Sequence, residues 1–149
     1  MKIPLLLGAL LLSASPVIAD DYLYFRCNQS GDLVITNSTT SKIIEDRYLE
    51  DIAYVKVDFK KKTVFDTRSA EPLSFTIQNN IITVLTRAEY NEVEINDVVK
   101  MNSLPPYPIS SNGTVVFKNK NRTNTHRAIG TCEEIDASVF EEALKQSES

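Results

Sequence analysis

Apolar and polar residues alternate with a period of two through most of this chain, in short runs interrupted by clusters of Asn, Ser, Gly and Lys. Between Asp21 and Cys27, Leu23, Phe25 and Cys27 fall on one face and Tyr22, Tyr24 and Arg26 on the other. Between Ile52 and Phe59, Ala53, Val55, Val57 and Phe59 oppose Tyr54, Lys56 and Asp58. Such alternation is the mark of strands with one face on a core and one in water.

The punctuation between the runs predicts where the chain reverses. Asn28-Gln29-Ser30-Gly31-Asp32 reads as a turn leading to a strand at Leu33 to Thr36, and Lys60-Lys61-Lys62 as a charged turn before Thr63-Val64-Phe65. Leu73 to Arg87 reads as a hairpin with Asn79-Asn80 in the left-handed positions of its turn. In that register Leu73, Phe75 and Ile77 share a face with Thr86, Val84 and Ile82. Glu92 to Ile95 continues the alternation, with Val93 and Ile95 inward and Glu92 and Glu94 on the solvated side. Beyond an extended loop at Leu104 to Pro108, Asn112-Gly113 predicts a second hairpin tip between Ile109-Ser110-Ser111 and Thr114 to Phe117. Thr125 to Cys132 then closes the sheet region.

Two segments carry helical spacing instead. Over Ser41 to Asp51, Ile44, Tyr48, Leu49 and Ile52 recur at helical intervals, although the charge density there also permits an irregular loop. Near the C-terminus Ser138-Val139-Phe140-Glu141 has the form of a capping box, and Val139, Phe140, Ala143 and Leu144 make one apolar stripe. The expected fold is all-β and mainly antiparallel: a single small barrel or strongly curved sheet of about seven to nine short strands. A short C-terminal helix and a second short helix near 41–51 complete it.

The first residues follow a different rule. Met1-Lys2, the apolar run Ile3 to Leu12, and Val17 and Ala19 before Asp20 form a secretory signal peptide with cleavage expected after Ala19. The apolar run is about half of the roughly 20 residues that a bilayer span requires. Residues 1–19 are thus a leader and 20–149 a single β-rich domain, secreted or periplasmic, with no membrane span after cleavage.

An exported chain meets an oxidising environment, where the pair Cys27 and Cys132 reads as one disulfide. Two unpaired buried thiols, or a bridge between chains, are the alternatives. The 16 basic and 20 acidic side chains give a net charge of −4, which becomes −5 once Lys2 leaves with the leader. A mild acidic balance argues against a nucleic-acid binder, which needs a basic excess.

Candidate chemistry is sparse. His126 is the single histidine, so no site built on two imidazoles can form, and a lone histidine beside Arg127 on a strand reads as a surface or half-buried structural residue. Glu89, Glu92, Glu94 and Asp97 lack the frame of a calcium loop and read as a solvated face. No catalytic residue, metal site or cofactor is expected. Lys118, Lys120, Arg122 and Arg127 concentrate positive charge around the turn Asn119 to Thr125 and are the first candidates for contact with a protein or an anionic surface. Asn-x-Ser/Thr sequons start at Asn28, Asn37, Asn112 and Asn121, all in segments read as turns.

Tyr24-Phe25-Arg26-Cys27, Val57-Asp58-Phe59 and Gly130-Thr131-Cys132 give the chain a likeness to small uncharacterised exported bacterial proteins of a type common in marine cyanobacteria. This resemblance implies a short-stranded antiparallel sheet bracketed by one Cys pair, and carries no activity. The chain also resembles the periplasmic C-type lysozyme inhibitors, small eight-stranded barrels that begin with Tyr-x-Cys and tie the first Cys to one near the C-terminus. Here Tyr24 stands three before Cys27, Phe25 takes the aromatic slot, and the Ser-Gly-x-x-Tyr loop that carries inhibition in that family has no counterpart.

The function expected from the sequence is a non-enzymatic exported binding module that meets its partner through loops. A small hydrolase or metal-dependent enzyme using Glu92, Glu94 or His126 is the second reading, to be distinguished by a pocket with convergent polar groups. A structural envelope protein without a ligand is the third.

Overall fold

The computed structural model describes residues 22–149, so the expected leader at 1–19 lies outside the described residues. Eight antiparallel strands, each paired with its neighbours in sequence, form a closed barrel. They are β1 (Tyr22–Asn37), β2 (Ile43–Asp58), β3 (Thr63–Asp66), β4 (Leu73–Gln78), β5 (Ile81–Tyr90), β6 (Val93–Asn102), β7 (Pro108–Phe117) and β8 (Arg122–Glu134). A 3₁₀ turn (Lys118–Lys120) links β7 to β8, and one helix, α1 (Ala137–Glu148), follows. Pairing of β1 with β8, from Phe25↔Glu134 to Asn37↔Arg122, closes the ring.

The alternation read in the sequence points where it should. Phe25, Cys27, Ala53, Val57, Phe75, Ile82, Val84, Met101, Ile109 and Cys132 form one buried cluster at one end of the barrel, with Leu23, Phe59, Val64 and Val99 packed on it. Cys27 lies directly opposite Cys132 on the neighbouring strand, and the two are bridged. Outside the wall, Phe140 of α1 is buried against Tyr24 and Phe65, with ring centroids 5.3 and 6.3 Å away. Phe140 thus docks the helix on outward-facing aromatics of β1 and β3, while Val139 of the expected stripe stays exposed. The helix begins earlier than the capping-box reading, with Asp136 at the N-cap and no side-chain cap bond, so Ser138 is helical.

Asn79 and Asn80 adopt φ of 51° and 62° at the tip of the β4–β5 hairpin, with Phe75↔Val84 and Ile77↔Ile82 in the expected register. Three other expectations are corrected. The segment 41–51 is not helical: from Ile43 on it is the first half of β2. Ile44, Tyr48 and Ile52 recur every four residues, an interval that keeps side chains on one face of a strand as well as of a helix. Asn28 to Asp32 is not a turn but the middle of β1, paired with β2 on one side and β8 on the other. Asn112-Gly113 is likewise mid-strand, and residues 109–117 form one continuous β7 instead of a hairpin. The sequons at Asn28 and Asn112 therefore lie on strands, while Asn37 and Asn121 lie at strand and turn ends.

The strands are unequal, and this shapes the interior. β3 pairs with β2 only over Val55 to Asp58, and β4 with β5 only over Phe75 to Gln78. Farther from the core, β2 and β5 each have a single strand partner. The wall is thus continuous at the core end and thinned on the β3–β4 side at the other.

Candidate functional site

Away from the core, the inward positions change from apolar to polar and small. Gln29 and Gly31 on β1, Thr86 on β5, Asp97 on β6, Ser111 and Gly113 on β7, and His126 and Ala128 on β8 follow the parity of buried core residues on the same strands. All of them but Gly113 line a chamber of about 470 Å³ bordered by every strand of the barrel, with Cys27, Ala53, Val55, Val64, Val84 and Val99 on its apolar side. An eight-stranded barrel has an interior just wide enough to be filled by side chains or to hold one small ligand. In this barrel the end around Phe25 and Val57 is filled, the chamber occupies the polar stretch beyond it, and Ile35 past that stretch is buried again.

The central polar feature is a pair from strands that are not neighbours. Asp97 on β6 and His126 on β8 are both register partners of Gly113 on the intervening β7. With no side chain on Gly113, His126 Nε2 comes within 3.2 Å of Asp97 Oδ1. The approach is close, yet its direction does not make a hydrogen bond: Oδ1 is screened from solvent and has no hydrogen-bond partner. Gln29 Oε1, also on the inward face, is in the same condition. Each such buried acceptor costs about 1–3 kcal/mol while unpaired.

A second charged group anchors the segment after β3, at the side of the chamber. Arg68 donates from Nη1 to Asp51 Oδ1 at 2.7 Å and from Nη2 and Nε to the two oxygens of Asp66 at 2.8 and 3.1 Å. The Asp66 bond pushes the guanidinium further above its ordinary pKa, burial opposes, and Asp51 adds to the rise. This fork fastens the β3–β4 connector to β2 where the wall is thinnest. Arg68 is thereby saturated with carboxylate.

The residues singled out from the sequence are dispersed. Lys118 is taken up by Glu89 and lies 3.9 Å from Glu94, and these two glutamates face each other across β5 and β6. Like charges in direct opposition repel, and Lys118 offsets that repulsion. Glu89 is accordingly held below the usual carboxylate range, first by the Lys118 hydrogen bond and then by its charge. Lys120 stacks over Phe117, 5.7 Å from the ring centroid. Arg122 begins β8 on the inward parity, whereas Arg127 is exposed on the outer face opposite Asp32. Glu92 is not on a strand face with Glu94. It occupies a left-handed turn position beside Asn91, with φ of 66°. Among the described residues no group of three or more His, Cys, Asp or Glu is placed to hold a metal ion.

A broader depression of about 1230 Å³ lies on the outer wall, lined in part by Ile52, Ile81, Pro108 and Ile129. Ile52 and Ile129 are 49 % and 67 % exposed, so a ligand there would stay largely in water. The interior chamber, with convergent polar atoms and an apolar wall, is the better candidate site.

Sequence reasoning placed Asp97 on a solvated face and His126 in a structural role, and gave Gln29 and Gly31 to a turn. The signal that marks them is a polar, glycine-containing stretch inside a run whose flanks keep strand parity. No protein family, curated protein or solved structure matches this chain.

Proposed function

We propose that this protein is an exported, non-enzymatic binding module that holds a small molecule in the half-open interior of its barrel. The observation that carries the reading is the chamber itself: a space of about 470 Å³, within the size range of small-molecule sites, bordered by apolar side chains and by the half-buried Asp97–His126 pair. An internal disulfide fits folding in an oxidising compartment, and no helix among the described residues is long and apolar enough to cross a membrane. Removal of the leader after Ala19 belongs to the same proposal and is checked by N-terminal sequencing of the exported protein.

The test is a thermal-shift screen of small molecules against the wild type, a chamber-filling variant Thr86→Phe and an outer-wall control Ile129→Asp. Ligands that raise the melting temperature of the wild type and Ile129→Asp, but not of Thr86→Phe, support the chamber. Ligands that act on all three alike move the site elsewhere. Turnover of any substrate that His126→Ala abolishes replaces the binding reading with an enzymatic one.

A further inference from the structure

We infer that the ligand of this chamber is a small organic cation, an ammonium group carried on an apolar or aromatic body. The inference rests on the chamber being the binding site and adds the chemistry of its occupant.

Three observations converge on a cation. At the polar wall of the chamber stands the half-buried Asp97 carboxylate, whose Oδ1, like Gln29 Oε1, is sealed from solvent without a hydrogen-bond partner. A carboxylate accepts in any orientation, so the demand for a donor at Asp97 does not depend on which way the Gln29 amide is turned. The charge on the inward-facing positions has the same sense: Asp51, Asp66 and Asp97 border the chamber with Arg68 and His126, whereas Asp32, Glu50 and Arg127 stand on outward-facing positions. Arg68 is already committed to Asp51 and Asp66, and Arg127 lies on the outer face opposite Asp32. Asp97 faces only His126, without an aligned hydrogen bond.

The remaining wall is apolar. Val55, Val64, Val84 and Val99 line the chamber next to these groups, offering a surface for hydrocarbon and nothing for a second polar end. An ammonium donates three hydrogen bonds, and in a partly desolvated site its attraction to a carboxylate exceeds that at an open surface. An anion would be repelled by the Asp97 carboxylate. A sugar-like ligand would satisfy the acceptors but leave its hydroxyls against valines.

The experiment compares three probes of similar body, phenethylammonium, hydrocinnamate and phenethyl alcohol, by calorimetric titration. Phenethylammonium is expected to bind the wild type most tightly. Asp97→Asn should weaken it by roughly ten- to a hundredfold, the range of a hydrogen bond to a charged group. Arg68→Met should strengthen it by freeing Asp51 and Asp66, a gain that a variant merely damaged in folding cannot produce. Tighter binding of hydrocinnamate or the alcohol overturns the cation assignment and leaves the chamber standing, as does ammonium binding unchanged in Asp97→Asn. If none of the probes binds the wild type, the cation assignment falls, and the chamber is judged by its own screen.

Discussion

Asp97 and His126 meet across a strand that runs between them, over the α-carbon of Gly113. A β-carbon built at Gly113 would lie 2.6 Å from both Asp97 Oδ1 and His126 Cε1. The glycine is not needed for a turn, since no glycine among the described residues has positive φ; it provides the clearance that lets the pair approach. Gly113→Ala is therefore expected to force the pair apart and to destabilise the fold by about 1–3 kcal/mol, the usual cost of overpacking. Urea denaturation gives the loss, and the His126 ring resonances report the separation. Unchanged resonances and stability would mean that strand β7 yields freely at this point.

The same glycine shows where the sequence was legible and where it was not. Strand parity around Phe25, Val57, Phe75 and Val84 was readable because a core rewards period-two burial, and the fold class followed from it. The two turns wrongly expected at Asn28 to Asp32 and at Asn112-Gly113 both lie where strands border the chamber. There the inward positions face polar space, so Gln29, Gly31 and Gly113 look like chain breakers. Gly31 and Gly130 add to this: a β-carbon at either would come within 1.8 Å of a carbonyl oxygen on the neighbouring strand. Local composition that contradicts the global fold is expected at functional sites, and in this chain the contradiction falls on the chamber. The pairing of Asp97 with His126 joins residues 97 and 126 through a third strand, and no local pattern encodes it.

The bridge between Cys27 and Cys132 closes a loop across a sequence separation of 105. Cross-linking ends so far apart removes much of the freedom of the unfolded chain, with a ceiling of about 4.7 kcal/mol for a loop of roughly 100 residues. The Cys27→Ala, Cys132→Ala double variant should lose about 2–4 kcal/mol in denaturant titration, and peptide mapping without reductant should recover the two cysteines linked. Two titratable thiols in the native exported protein would contradict the bridge.

Asn79 and Asn80 both occupy left-handed backbone, the geometry of the two-residue turn that fits strand twist. Asn80→Gly retains that geometry without a side chain to strain and should leave stability equal or slightly raised. Asn80→Pro cannot take a positive φ and should cost more than about 1 kcal/mol. Equal melting temperatures for the two variants would show that the hairpin tip contributes nothing to the register of β4 and β5.

The Lys118–Glu89 pair sets opposite limits on pH. Glu89 titrates below its ordinary value when folded, so its contribution is present above the unfolded carboxylate pKa and is lost as pH falls through the folded one. Lys118 is raised, chiefly by its hydrogen bond to Glu89, so its part is present below the unfolded lysine pKa and is lost as pH rises through the folded one. Replacing Lys118 with Met should flatten stability at both extremes while leaving two glutamates opposed at neutral pH. The pair is exposed, so the difference should shrink in high salt. A pH profile identical to that of the wild type would show that the pair is spent on solvent.

Tyr107 connects the loop before β7 to the disulfide end of the barrel. Its ring packs edge-on against Phe25 at 5.0 Å, and its backbone carbonyl accepts a hydrogen bond from the Cys132 amide at 2.8 Å. Its hydroxyl lies 3.4 Å from Glu134 Oε2. Partial burial raises the phenol's pKa above its ordinary value, and the charge of Glu134 and then the hydrogen bond to it add to the rise. A raised acid favours its protonated form when folded, so this contribution is complete below the unfolded tyrosine pKa of about 10 and is lost as pH rises through the folded value. Phenolate absorbance should therefore show a late ionisation step, and Tyr107→Phe should remove it. Glu134→Gln should bring the step earlier without abolishing it, because burial, the larger cause, remains. If Glu134→Gln restores ordinary titration in full, the glutamate and not burial governs this phenol.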